Sequence, residues 1–158
     1  MSYQIDHLVS SWVKPSDTLV VAGFWRSGTT WIQESLAKLI KGKTVFEPLT
    51  SAIPKAEILS FANISTKSLG YKQLYMPYSA DDTLSDRSLH MFFEQALRSD
   101  IRGSVPRLLR SNLAESFRFQ IVAKFVRVQL CLRALQNTFS TPVVYIYRIE
   151  ILARSYQA

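Results

Sequence analysis

Apolar positions along the chain alternate between short continuous runs and longer stretches in which they recur every three or four residues. The run Leu19-Val20-Val21-Ala22, bounded by Asp17 and Gly23, predicts a buried parallel strand. From Thr30 to Lys41, Ile32, Leu36, Leu39 and Ile40 fall at helical spacing and Gly42 stands ready as a C-terminal cap, so a helix follows. Thr44-Val45-Phe46 predicts a second short strand, broken after Glu47 by Pro48. Thr50 to Asp82, punctuated by Pro54, Gly70 and Pro77, reads as loop and short helix. Ser85 predicts the cap of a helix that presents Leu89, Phe92, Phe93, Ala96 and Leu97 on one side. Phe119 to Val126 then reads as a strand, Val128 to Gln136 as a helix, and Val143 to Tyr147 as a strand rich in β-branched and aromatic residues. Ile151 to Ala158 opens a last helix.

Strands alternating with helices imply an α/β domain, a parallel sheet flanked by helices, with ligands expected beyond the carboxyl ends of the strands. Candidate chemistry is therefore sought just after Ala22, Phe46, Val126 and Tyr147.

Composition narrows the class. At 158 residues, 47% hydrophobic and 20% charged, with 5 Gly and 6 Pro, the chain reads as a single domain over residues 1–158, and disordered and fibrous classes are excluded. Its apolar runs fall far short of the roughly 20 residues needed to cross a bilayer. Met1 to His7 lacks the basic start and apolar core of a secretory signal. The lone Cys131 has no internal disulfide partner and reads as a small core hydrophobe. A cytoplasmic chain with no membrane span is expected.

Charge adds a second constraint. Lys+Arg number 19 against 12 Asp+Glu, for a net +7. The segment from Arg98 to Arg133 alone holds eight basic residues against Asp100 and Glu115, a net +6. Such a concentration suits a polyanion, a phosphate-bearing ligand or an acidic membrane surface, and equally a plain solvated face. The segment lacks the aromatic-basic strand pattern and the recognition-helix signature of a nucleic-acid-binding module, so no nucleic acid is expected.

The first strand leads into Gly23-Phe24-Trp25-Arg26-Ser27-Gly28-Thr29-Thr30-Trp31. Two glycines separated by four residues at a strand-to-helix junction have the spacing of a phosphate-cradling loop, whose amides and helix N-terminus face an anion. Nucleoside-triphosphatases need Lys after the second glycine, where this chain has Thr29, and no predicted strand ends in Asp to hold Mg²⁺. ATP or GTP hydrolysis is disfavoured. The positive charge sits within the loop instead, on Arg26, beside the hydroxyls of Ser27, Thr29 and Thr30, an arrangement suited to a smaller anionic group at the 5′ end of a nucleotide without a metal.

The run Arg26-Ser27-Gly28-Thr29-Thr30-Trp31 resembles the 5′-phosphosulfate loop of sulfotransferases that use 3′-phosphoadenosine 5′-phosphosulfate (PAPS). Val143-Val144-Tyr145-Ile146-Tyr147-Arg148, followed by Arg154-Ser155-Tyr156, is similar to the 3′-phosphate site of the same family. In that pattern an arginine at a strand end and a serine one helical segment later hold one phosphate, and Arg148 and Ser155 are the matching positions. Here Ile149-Glu150 follow the arginine and the interval to the serine is one residue shorter than in the family. The resemblance implies a P-loop-like three-layer sandwich, PAPS as the sulfuryl donor with no metal, adenosine 3′,5′-bisphosphate as product, and a small-molecule or carbohydrate acceptor. It spans Leu19 to the terminus and is specific at its two ends. Family members are commonly nearly twice as long, so the C-terminal part of the family fold is expected to be missing.

Sulfuryl transfer needs a deprotonated acceptor, in-line placement on sulfur and stabilisation of the departing phosphate. Arg26 and the loop amides suit the third task. The resemblance implies that Trp31 stacks on adenine, the alternative being an ordinary core aromatic, whereas Trp25 reads as packing. Cytosolic family members carry a His two residues after a strand-end Lys; in Lys124-Phe125-Val126 that position is Val. His7 and His90 have no motif behind them and read as structural or solvated. Glu47, at the end of the second strand in Phe46-Glu47-Pro48, resembles the glutamate base of the tyrosylprotein and some bacterial members, the alternative being an exposed loop glutamate. Lys124 is expected to line the pocket and help neutralise the transferring group. Two functions remain open: a PAPS-dependent sulfotransferase, and a truncated, inactive remnant that binds a nucleotide or polyanion without turnover.

Overall fold

The computed structural model describes residues 9–24, 26–48, 77, 79–100 and 118–147. Most of the loop expected from Thr50 to Asp82, the last helix, and Trp25, His7, Arg148 and Ser155 lie outside these residues. Four strands, β1 (Thr18–Gly23), β2 (Lys43–Phe46), β3 (Ile121–Phe125) and β4 (Val143–Ile146), are separated by helices α1 (Thr29–Leu39), α2 (Arg87–Leu97) and α3 (Leu132–Phe139). The strands form one all-parallel sheet in the order β2-β3-β1-β4. The α/β class with interleaved helices and a parallel sheet is thus as the periodicities predict. No helix among the described residues is long and apolar enough to cross a membrane.

Alternation within β1 divides the core. Val20 and Ala22 point to the face covered by Phe92, Phe93, Ala96 and Leu97 of α2 and Ala134 and Leu135 of α3. Leu19 and Val21 point to the other face, where Ile32, Leu36, Ala37 and Ile40 pack from α1 and its end. Phe93 joins Phe92 and Phe125 through edge-on ring contacts, filling the larger cluster. Strand β3 is buried along its whole length, whereas Val144 and Tyr145 of the outer strand β4 are partly open to solvent.

Several boundaries and caps differ from the sequence expectation, each for a local reason. Asp86, not Ser85, caps α2: its side chain accepts a hydrogen bond from the Leu89 amide at 2.9 Å, while the Ser85 hydroxyl donates to Asp81. Leu39 is 77% exposed and belongs to no core cluster, because Ala37 and Ile40 already complete the buried stripe of α1. Lys41, not Gly42, adopts the left-handed conformation that ends α1 (φ 53°). The amide of Gly42 then bonds back to Ala37 O at 2.8 Å and that of Lys41 to Lys38 O at 3.3 Å, the paired bonds of a Schellman motif. Helix α3 starts at Leu132 because Val128 to Cys131 forms a turn, closed by Cys131 N–H donating to Val128 O. Phe119 stays outside β3, stacked on the exposed Trp12 ring.

Candidate functional site

Because every strand runs the same way, the ends of β1, β2 and β3 share one edge of the sheet, and three loops meet there. The first is the turn from Gly23 to Gly28. Gly23 has no room for a side chain: a Cβ would lie 2.6 Å from Ile146 O, 2.8 Å from Ser27 Oγ and 2.8 Å from Thr29 Cγ2. Gly28 takes φ 85° as the N-cap of α1, so the chain turns sharply, and it offers no side-chain cap to the first amides of the helix, which have no intrahelical partner. No acidic residue occupies the first turn of α1. That is the donor set an anion requires.

Within this loop the predicted residues divide. Arg26 is exposed and left-handed (φ 62°). The Ser27 hydroxyl is turned inward, donating to Phe24 O at 2.6 Å, so its proton serves the loop rather than a ligand. Thr29 is buried against Gly23, which makes it packing for the turn. Trp31 is 70% exposed on α1, which excludes the core-packing alternative.

The second and third loops bring Glu47 to Lys124. Phe46 is in register with Lys124 across β2 and β3, and the amide of Glu47 donates to Lys124 O at 3.1 Å. The Lys124 ammonium lies 2.6 Å from Glu47 Oε1, donates to Thr30 Oγ1 at 2.9 Å, and sits 3.7 Å from the centre of the Phe46 ring. The lysine side chain is 3% exposed and the glutamate 14%. Thus the first helix, the second strand end and the third strand converge on one buried cation. Glu47 is not an exposed loop glutamate, and Lys124 faces its partners rather than open solvent.

Among the described residues, five other than glycine have positive φ. Lys41, Ser99 and Ser140 end helices, where that conformation is ordinary. The other two, Arg26 and Glu47 (φ 41°), lie in the loops at the carboxyl edge. Backbone strain held at such a place accompanies functional sites more often than plain turns.

Two glutamines that the hydrophobic pattern does not single out complete the framework. Gln33, 1% exposed, donates from Nε2 to Val45 O and Val122 O, each at 2.8 Å, fastening α1 to β2 and β3. Gln129 donates to Gly23 O at 3.0 Å and to Val126 O at 2.9 Å, fixing the start of the turn from Gly23 to Gly28. A polar residue inside the apolar stripe of a helix is the signal for Gln33; Gln129 lies in a turn and offers none. His90 packs against the Phe139 ring, a contact that fits the structural alternative of its two readings. No cluster of three or more His, Cys, Asp or Glu able to hold a metal occurs among the described residues.

Comparisons with protein-family models, with curated proteins and with solved structures find no match. Fold and site define an α/β protein with a parallel sheet whose carboxyl edge carries a glycine-capped helix start beside a Glu-Lys-Thr cluster.

Proposed function

We propose that this chain is a PAPS-dependent sulfotransferase of the bacterial type, built on a P-loop-like three-layer sandwich and acting in the cytoplasm, that moves a sulfuryl group onto a hydroxyl or amine acceptor. The observation that carries the reading is the meeting of Thr30, Lys124 and Glu47 beside the Arg26 loop, since it joins the proposed anion site to the proposed base. The donor set fits the nucleotide: helix amides without intrahelical partners, an exposed guanidinium at Arg26 and an exposed indole at Trp31, the third residue of α1. When bound, PAPS supplies a sulfuryl group attached to a phosphate able to leave.

In this reading Arg26 and the amides of Thr29 and Thr30 take up the negative charge that gathers on the departing phosphate. Glu47 removes the acceptor proton as the new oxygen–sulfur or nitrogen–sulfur bond forms and the bond from sulfur to phosphate oxygen breaks. Lys124 holds the Glu47 carboxylate and the Thr30 hydroxyl oxygen at fixed positions, so that the base and the anion site stand in one geometry. Trp31 offers its exposed face to adenine, and Arg148 with Ser155 grips the 3′-phosphate, on the strength of the family resemblance.

The rival reading, a remnant that binds a nucleotide or polyanion without turnover, draws support from the same ion pair, which already engages Oε1 of the proposed base. Calorimetric titration with adenosine 3′,5′-bisphosphate against ATP tests the cofactor assignment. Selective binding of the bisphosphate, lost in Arg26→Ala and in Arg148→Ala, is expected; equal binding of the two nucleotides, or none, refutes it. Glu47→Gln should abolish sulfuryl transfer from PAPS while leaving bisphosphate binding intact. Full bisphosphate affinity with no transfer by the unaltered chain, over a panel of phenol, sugar and amine acceptors, would favour the remnant.

A further inference from the structure

The loop that carries Arg26 leaves the sheet at Gly23 and enters α1 at Thr29, and both of its ends are tied to β3 or to the turn that follows it. On the helix side, Lys124 of β3 donates to Thr30 Oγ1 at 2.9 Å. On the strand side, the Gln129 amide donates from Nε2 to Gly23 O at 3.0 Å and to Val126 O at 2.9 Å. Strands β1 and β3 run in register from Thr18 opposite Ile121 to Ala22 opposite Phe125, so Gly23 and Val126 are the next pair along. There the backbone register between the two strands ends, and one side-chain nitrogen bridges them instead.

A glutamine that spans two carbonyls is ordinarily a stabilising bridge, as Gln33 is between β2 and β3. Gln129 differs on two points. Its Oε1 is buried with no hydrogen-bond partner among the described residues, so the amide is desolvated at its oxygen without compensation. Stability alone is poorly served by such a side chain, and the flipped amide would set its oxygen against two carbonyl oxygens. The second point is that the carbonyl it holds opens a strained loop. Arg26 is left-handed (φ 62°), a conformation that persists only where the surrounding structure over-determines it. Gly23 has no slack on its other side, where a Cβ would lie 2.6 Å from Ile146 O. Holding Gly23 between β4 and Gln129 therefore fixes the place from which the Arg26 loop departs.

We propose that Gln129 is a positioning residue for the anion loop: it pins the first carbonyl of that loop to the end of β3, so that Arg26 keeps a fixed place relative to Lys124 and Glu47. It acts through Gly23 and contacts no reacting atom. Lys124 lies two residues before Val126 in the sequence, so the loop and the proposed base are both referred to one strand. A misplacement of about 1 Å between such groups costs on the order of a hundredfold in rate. The proposal rests on the sulfotransferase reading for its nucleotide, whereas the clamp on the loop stands by itself.

The test compares Gln129→Met, which keeps the length of the side chain and loses both donors, with Gln33→Met, which removes an equivalent pair of bonds between α1 and the sheet. Gln129→Ala, in which water reaches the two carbonyls, serves where the methionine variant does not fold. Amide hydrogen exchange over 23–30 should quicken about tenfold in either Gln129 variant and keep the parent's rate in Gln33→Met, although each variant lowers the unfolding midpoint. The affinity of the folded chain for adenosine 3′,5′-bisphosphate should fall about tenfold in the Gln129 variants alone. Loop exchange unchanged in those variants, or quickened equally in Gln33→Met, would overturn the proposal and leave Gln129 a stabilising bridge, as would a bisphosphate affinity that the Gln129 variants keep in full. Quickened loop exchange in a chain whose parent binds no bisphosphate would uphold the clamp and count against the cofactor reading instead.

Discussion

Lys124 shows how one side chain can decide both the stability and the chemistry of this edge. Its ammonium is removed from water and repaid by a carboxylate at 2.6 Å, a hydroxyl at 2.9 Å and the Phe46 ring. A buried ion pair of this kind adds little over an apolar pair of equal volume, yet breaking it leaves one charge stranded. Lys124→Met strands Glu47 and should cost about 3 kcal/mol in urea unfolding. Glu47→Gln still offers Lys124 an acceptor oxygen and should cost less. The double variant should recover part of the loss, giving a coupling energy of at least ~1 kcal/mol in the cycle; strictly additive losses would mean that the pair is not formed in solution. At this scale the sequence exposed the residue types and their places near strand ends, because Glu47 closes one apolar run and Lys124 interrupts another near its end. Their mutual contact depends on β2 and β3 being neighbours, which no local pattern encodes.

Elements were legible where periodicity and burial agree, as in β1, α1 and α2, and less so where a turn intervenes. The segment from Val128 to Cys131 keeps apolar spacing although its backbone is a turn, so α3 begins four residues later than the pattern suggests. That shift puts Cys131 at the N-cap of α3, a place where a helix dipole ordinarily favours the thiolate. Burial among the core residues wins instead, and pushes the thiol up to about 12 from 9.0. The protonated form therefore stabilises the fold fully below pH 9, and this contribution is lost as pH rises from about 9 toward 12, since the unfolded chain gives up the proton first. Two consequences are measurable. Iodoacetamide should label Cys131 at neutral pH only at the rate of unfolding. The stability difference between the parent and Cys131→Ala should narrow by about 2 kcal/mol between pH 8.5 and 10.5. Rapid labelling of the folded chain, or a difference independent of pH, would contradict the burial.

For the whole molecule, the parallel sheet sets its two charged regions apart by the length of its strands. Strand β3 has five residues and so spans roughly 17 Å, with Arg118 leading into one end and Lys124 close to the other. That separation exceeds the screening length of about 8 Å at physiological ionic strength. The sheet between them is rigid, since β3 is buried throughout and paired on both sides. A compact nucleotide at the carboxyl edge should therefore leave the cations at the amino-terminal edge untouched. With adenosine 3′,5′-bisphosphate at a hundred times its dissociation constant, the stability should rise by about 2.7 kcal/mol. Lys38→Gln/Lys41→Asn should keep that whole increment, whereas Arg26→Ala should lose it. The check is thermal unfolding of the parent and the two variants with and without the bisphosphate; an increment lost in the lysine variant would mean that the nucleotide sits on the amino-terminal surface instead.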